Sequence, residues 1–184
     1  MPLAKQTLSR PAAPWRVLAI ALAGAALITL GAKVQIPFWP VPMTLHTLAV
    51  FTLAAALGPR AGIAAMATYL AAGAAGLPVF SGTPERGIGL AYMVGPTGGY
   101  LLGYLLAAGV IGWLAQGRGM AGQALAMLAG LAVVYAVGLL WLAGFVPASG
   151  LLAAGFAPFI LGDLVKIALA CGLTTALRRL KGRA

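Results

Sequence analysis

Six apolar stretches, separated by short runs of Gly, Pro or charge, limit what this chain can fold into more than any other feature. They run about 15–31, 45–57, 61–76, 89–114, 121–146 and 151–177. A helix needs about 20 apolar residues to cross a bilayer. The stretches show no strand alternation and are longer than the roughly 10 residues of a membrane barrel strand. A helix also satisfies its own backbone N–H and C=O groups in lipid. The chain therefore reads as all-α: an integral membrane bundle of six transmembrane helices, one membrane domain over residues 1–184. Composition removes the alternatives. Hydrophobic residues make up 62% of the chain and charged residues 8%, against about 25% charged in a soluble domain. A water-soluble globule of this make-up would have almost no polar surface. A cytosolic enzyme, a nucleic-acid-binding domain and a disordered tail are excluded despite a formal charge of +10.

The cations are placed topologically. Lys5, Arg10 and Arg16 lie near the N-terminus, Arg60 follows the second stretch, Arg118 follows the fourth, and Arg178, Arg179, Lys181 and Arg183 lie near the C-terminus. Those nine fall on one side of the expected bundle, against Lys33 and Arg86 on the other. Lys and Arg collect on the cytoplasmic side, so both termini read as cytoplasmic, which requires an even number of spans. The expected location is the bacterial cytoplasmic membrane, crossed several times. The first apolar run, 17–32, exceeds the roughly 7–15 residues of a signal-peptide core and reads as a span. The two long connections, after the first and third stretches, fall on the external face and are rich in Pro, Gly and aromatics. Long structured loops tend to carry function, so a site opening outward is expected. Trp15 and Trp141 read as interfacial anchors, a role also open to Trp39 and Tyr69.

Three segments carry polar chemistry. Asp163 and Lys166 are three apart in the sixth stretch and share a helix face. Charge inside a membrane is costly and persists where it is paired or lines a wet cavity. A self-neutralising bridge is one reading, but Leu could replace such a pair at little cost, so a polar ligand held by both groups is preferred. The second segment is Gly95-Pro96-Thr97-Gly98-Gly99-Tyr100, followed by Gly103. Glycines at fourfold spacing let helices approach closely, and Pro96 interrupts the first helical turn, freeing backbone groups beside a cavity. Thr97, Gly98 and Tyr100 are ligand-facing candidates. The third segment runs from Gln35 to His46 with prolines at 37, 40 and 42. Its Phe38 and Trp39 are expected to cover an external pocket, with Thr44 beside them. His46, the one histidine, reads as a packed or hydrogen-bonded residue rather than a ligand contact, and Cys171 as a small buried apolar residue. No P-loop is present, one Cys and one His cannot build a zinc site, and no catalytic set is legible. The chain reads as a non-enzyme without a cofactor.

Four ordered blocks then resemble the BioY family, the biotin-specific substrate-binding (S) component of energy-coupling factor (ECF) transporters. They are the run from Pro40 to Val50, Gly76-Leu77-Pro78-Val79-Phe80, Gly95 to Leu101, and Gly162-Asp163-Leu164-Val165-Lys166. The resemblance implies high-affinity biotin binding from outside, a T component and a pair of ATPases as partners, and partner docking through an Ala-x-x-x-Ala pattern in the first span. Ala19 and Ala23 match that pattern, as do Ala21 and Ala25. It also implies an Asn in the loop after the third span. This chain contains no Asn, so either Ser81 or Thr83 substitutes as a hydrogen-bond partner or the contact is absent. A solitary ion-coupled carrier of a vitamin-like substrate, with Asp163 as the ion site, is the alternative reading. A membrane enzyme using Asp163 and His46 as acid and base lacks a nucleophile or metal set.

Overall fold

The computed structural model describes residues 14–36, 43–82 and 87–181. The apolar stretches are helical: α1 (Pro14–Lys33), α2 (His46–Leu57), α3 (Pro59–Ala74), α4 (Leu90–Met93), α5 (Gly98–Leu114), α6 (Met120–Leu142), α7 (Leu151–Gly155) and α8 (Ala157–Lys181). The departure from an all-helical chain is small. Strands β1 (Gln35–Ile36) and β2 (Met43–Thr44) pair antiparallel, Gln35 with Thr44 and Ile36 with Met43.

Two of the stretches are broken, the first where Pro96 is expected to interrupt the helix and the second without a sequence signal. The fourth is split into α4 and α5 by the turn Val94–Thr97, where Pro96 has no N–H to give a helix. The sixth is split into α7 and α8 at Phe156, whose φ of −129° leaves the helical range. Among the described residues, three segments are long and apolar enough to cross a membrane: Trp15–Lys33, Met120–Leu142 and Ala148–Leu180, the last containing the break. Helices α2 and α5 are apolar but shorter. At 1.5 Å per residue α2 is about 18 Å long, well under the roughly 30 Å of a hydrocarbon core.

Helix α5 packs most extensively on α6, and α1 on α3. Small residues make these contacts close. A Cβ added at Gly103 would lie 2.9 Å from Val134 Cα, and one at Gly24 would lie 2.5 Å from Ala65 Cβ. Phe51, Met66, Tyr69, Ile111 and Met127 fill the interior, while Leu18, Leu30, Trp113, Leu140 and Leu161 point outward. Such an apolar exterior suits lipid, not water.

The two ends of the bundle differ. At one end Arg178 on α8 donates to the carbonyls of Arg118 (2.6 Å) and Ala115 (3.1 Å) after α5. Beside it Gly58, between α2 and α3, faces the Gln116 side chain. Beneath that clasp Thr174 donates to Gln123 Oε1, and Gln123 Nε2 donates to the Arg118 carbonyl. Arg60, Arg118 and Arg178 thus gather at one end. The opposite end holds the broken helices, the ribbon and a cavity.

Candidate ligand-binding site

The cavity has a volume of about 350 Å³, within the usual size range of small-molecule sites. Its polar wall comes from five elements: Thr44 from β2, His46 and Thr47 from the start of α2, Tyr69 from α3, Tyr100 and Tyr104 from α5, and Asp163 and Lys166 from α8. Tyr92, Leu101, Val134, Tyr135, Leu142 and Phe159 contribute aromatic and apolar surface.

Asp163 is the hub. Its Oδ1 accepts from Lys166 Nζ at 2.9 Å and from Thr47 Oγ1 at 3.0 Å, and its Oδ2 accepts from Tyr135 OH at 2.7 Å. Asp163 and Lys166 are each 5% exposed, so the ion pair lies inside the protein. Thr47 spends its hydroxyl hydrogen on Asp163, so it accepts the 2.6 Å bond from Tyr104 OH. A donor chain thus runs from Tyr104 through Thr47 to Asp163, joining α5, α2 and α8 at one carboxylate.

The backbone breaks are pinned by side chains. Tyr100 OH donates to the Gly155 carbonyl (2.8 Å), freed where α7 ends. The Tyr100 ring is seated against Gly138 and its hydroxyl against Gly155, at both of which a Cβ would collide with it. Trp141 Nε1 donates to the Gly95 carbonyl (3.0 Å) in the α4–α5 turn. Trp141, read from the sequence as an interfacial anchor, therefore also holds this turn.

An aromatic band continues the wall. Tyr92 stacks on Phe80 at 4.8 Å, Phe80 meets Tyr69 edge-on at 5.4 Å, and the His46 ring lies 5.3 Å from Tyr69 and 4.5 Å from Tyr104. Tyr69 is 1% exposed, so it is no interfacial anchor. His46 is packed, as its sequence suggested, but its Nε2 is buried without a hydrogen-bond partner among the described residues, and the residue lines the cavity.

The expected site residues divide as follows. Asp163, Lys166, Tyr100, Thr97, Thr44 and Ser81 come together around the cavity. Gly98 lies outside its wall, buried where a Cβ would collide with the Met93 carbonyl. Phe38 and Trp39, and Thr83 with them, lie outside the described residues. Ala19 and Ala23 are exposed on the outer face of α1, whereas Ala21 and Ala25 point inward. Thr47, Tyr69, Tyr92, Tyr104 and Tyr135 were missed. Each sits in an apolar run, and helical spacing alone does not bring positions 47, 104, 135 and 163 to one point.

A cavity in a helical membrane bundle, walled by aromatics and centred on a buried acid–base pair, defines a binding protein for a small polar-headed molecule of the membrane-transport class. Residues 5–183 match the BioY family, and the chain belongs to it. Relatives include the biotin transporter BioY of Thermotoga maritima, 42% identical over 85% of this chain and 92% of that one. The biotin transporter BioY of Rhodobacter capsulatus is 40% identical over 82% and 86%. Among solved structures, the crystal structure of the S-component for biotin from an ECF-type ABC transporter superposes with a TM-score of 0.77 at 29% identity, over 90% of this chain and 92% of that one. The chain is thus a membrane transport protein and not an enzyme.

Proposed function

We propose that this protein captures biotin from the external face of the bacterial cytoplasmic membrane and serves as the substrate-binding component of an ECF-type transporter. The observation that carries the reading is the buried Asp163–Lys166 pair facing a cavity of ligand size. Biotin presents a ureido ring with two N–H donors and a carbonyl, a thioether ring, and a valerate tail. Asp163 accepts a ureido N–H in a charge-assisted bond. Lys166 meets the ureido oxygen or the tail carboxylate, and Tyr100 packs against the rings. The biotin transporters named above support the ligand.

Six spans with both termini cytoplasmic fit the gathering of Arg60, Arg118 and Arg178 at the end away from the cavity. A T component and paired ATPases supply the energy. The outward Ala19-x-x-x-Ala23 face of α1 offers the close approach that docking in a membrane requires. A solitary ion-coupled carrier is disfavoured, because the Lys166 ammonium already stands 2.9 Å from Asp163, where a coupling cation would bind.

The test is equilibrium binding of biotin, desthiobiotin and lipoate to the purified protein in detergent. Tight binding of biotin, weaker binding of desthiobiotin and none of lipoate is expected. A folded protein that binds none of them overturns the ligand. Uptake by cells that collapses with the ion gradient and ignores ATP would favour the solitary carrier.

A further inference from the structure

His46 is 7% exposed, lines the cavity and carries a buried ring nitrogen, Nε2, with no hydrogen-bond partner among the described residues. The other such side-chain atom, Thr52 Oγ1, belongs to a residue outside the cavity wall. Leaving a polar atom buried and unpaired costs on the order of 1–3 kcal/mol. The imidazole cannot easily turn away, because Tyr69 and Tyr104 pack against its ring at 5.3 and 4.5 Å.

The acceptor count in the wall says what the nitrogen is for. An ionised carboxylate offers about four lone-pair positions. Asp163 has filled three, two on Oδ1 and one on Oδ2. It can take one further N–H, and a ureido ring brings two. Of the other polar groups in the wall, the Lys166 ammonium can only donate, and the Tyr69 and Tyr100 hydroxyls already spend their hydrogens on the Val79 and Gly155 carbonyls. A neutral imidazole with its hydrogen on Nδ1 presents Nε2 as an acceptor.

We propose that His46 Nε2 accepts the second ureido N–H of the ligand, so that His46 and Asp163 together read the ring as a two-donor group. This rests on biotin being the ligand. It makes His46 a specificity residue, since a site built to hydrogen-bond a polar group rejects analogues lacking it far more strongly than an apolar pocket does.

The test compares binding of biotin, and of the two isomers methylated on one or other ureido nitrogen, to wild type, His46→Phe and His46→Gln. For His46→Phe biotin affinity is expected to fall about 10- to 100-fold. His46→Gln, which places an amide at similar reach, should recover most of it. One methylated isomer should bind wild type and His46→Phe equally, because the contact is absent from both. Undiminished biotin binding by His46→Phe overturns the proposal, as does an equal loss for biotin and both isomers, which marks a packing role. His46 is the one histidine in the chain, so ¹⁵N-histidine labelling gives an NMR signal free of any variant's folding defect. Its Nε2 resonance should move on saturation with biotin and stay put with the isomer blocked at the contacting nitrogen; no movement with bound biotin overturns the proposal. A wild-type protein that binds no biotin refutes the ligand itself, an outcome distinct from all of these.

Discussion

Asp163 accepts hydrogen bonds from three residues, one on its own helix and two on neighbouring ones. Removing it therefore does two separable things: under the proposed function it strips the ligand of an acceptor, and it leaves Lys166 as a buried, unpaired cation. Breaking a buried pair from one side costs about 3–5 kcal/mol, whereas replacing both members with apolar groups is often near neutral. Asp163→Ala should lose biotin binding and melt earlier. Asp163→Ala combined with Lys166→Met should recover thermal stability in detergent while still failing to bind. Recovery of binding by the double variant would remove the pair from the site. Asp163 and Lys166 stood out in the sequence because charge is rare in this chain. Thr47, Tyr104 and Tyr135 did not, because a hydroxyl within an apolar run carries no mark until its partner is known.

At the scale of elements, the glycines set how closely α5 approaches α6. A methyl group on Gly103 would press on the Val134 backbone, which has no rotamer by which to yield. Overpacking of this kind costs about 1–3 kcal/mol, so Gly103→Ala should lower the melting temperature. It should also weaken biotin binding, since Val134 and Tyr135 line the cavity. Gly119→Ala, where an added Cβ meets nothing within 4 Å, serves as the control. The α7–α8 break is held by a different device, the Tyr100 hydroxyl on the Gly155 carbonyl. Tyr100→Phe keeps the ring and releases that bond, worth about 0.5–1.5 kcal/mol. Amide hydrogen exchange over 151–157 should quicken while α6 is unaffected; equal rates in both proteins would assign the pinning elsewhere. Pro96 announced the first break from the sequence. The break at Phe156 had no such signal, because neither Gly155 nor Phe156 forbids a helix.

For the whole molecule, the two ends have opposite chemistry, and the proposed topology follows from that polarity. Single cysteines can test it directly. Cys171 is 4% exposed and should stay silent to a membrane-impermeant thiol reagent. Ser149→Cys, exposed beside α7 at the cavity end, should label in intact cells. Gly119→Cys, next to Arg118, should label only after the membrane is opened. The reverse pattern would invert the protein and place the cavity on the cytoplasmic side.

By itself, the sequence determined the helical class, the apolar stretches, the shared helix face of Asp163 and Lys166, and the family. These depend on the solvent cost of apolar and charged groups and on short-range order along the chain, both of which are written into composition and spacing. The tertiary structure alone decided that Asp163 is shared by α2, α6 and α8, that Tyr100 and Trp141 hold the two breaks, and that His46 lines the cavity with a buried ring nitrogen unpartnered among the described residues. Those facts join residues up to 116 positions apart. An apolar helix of nearly uniform hydrophobicity does not declare which of its faces turns inward; packing against its neighbours decides that.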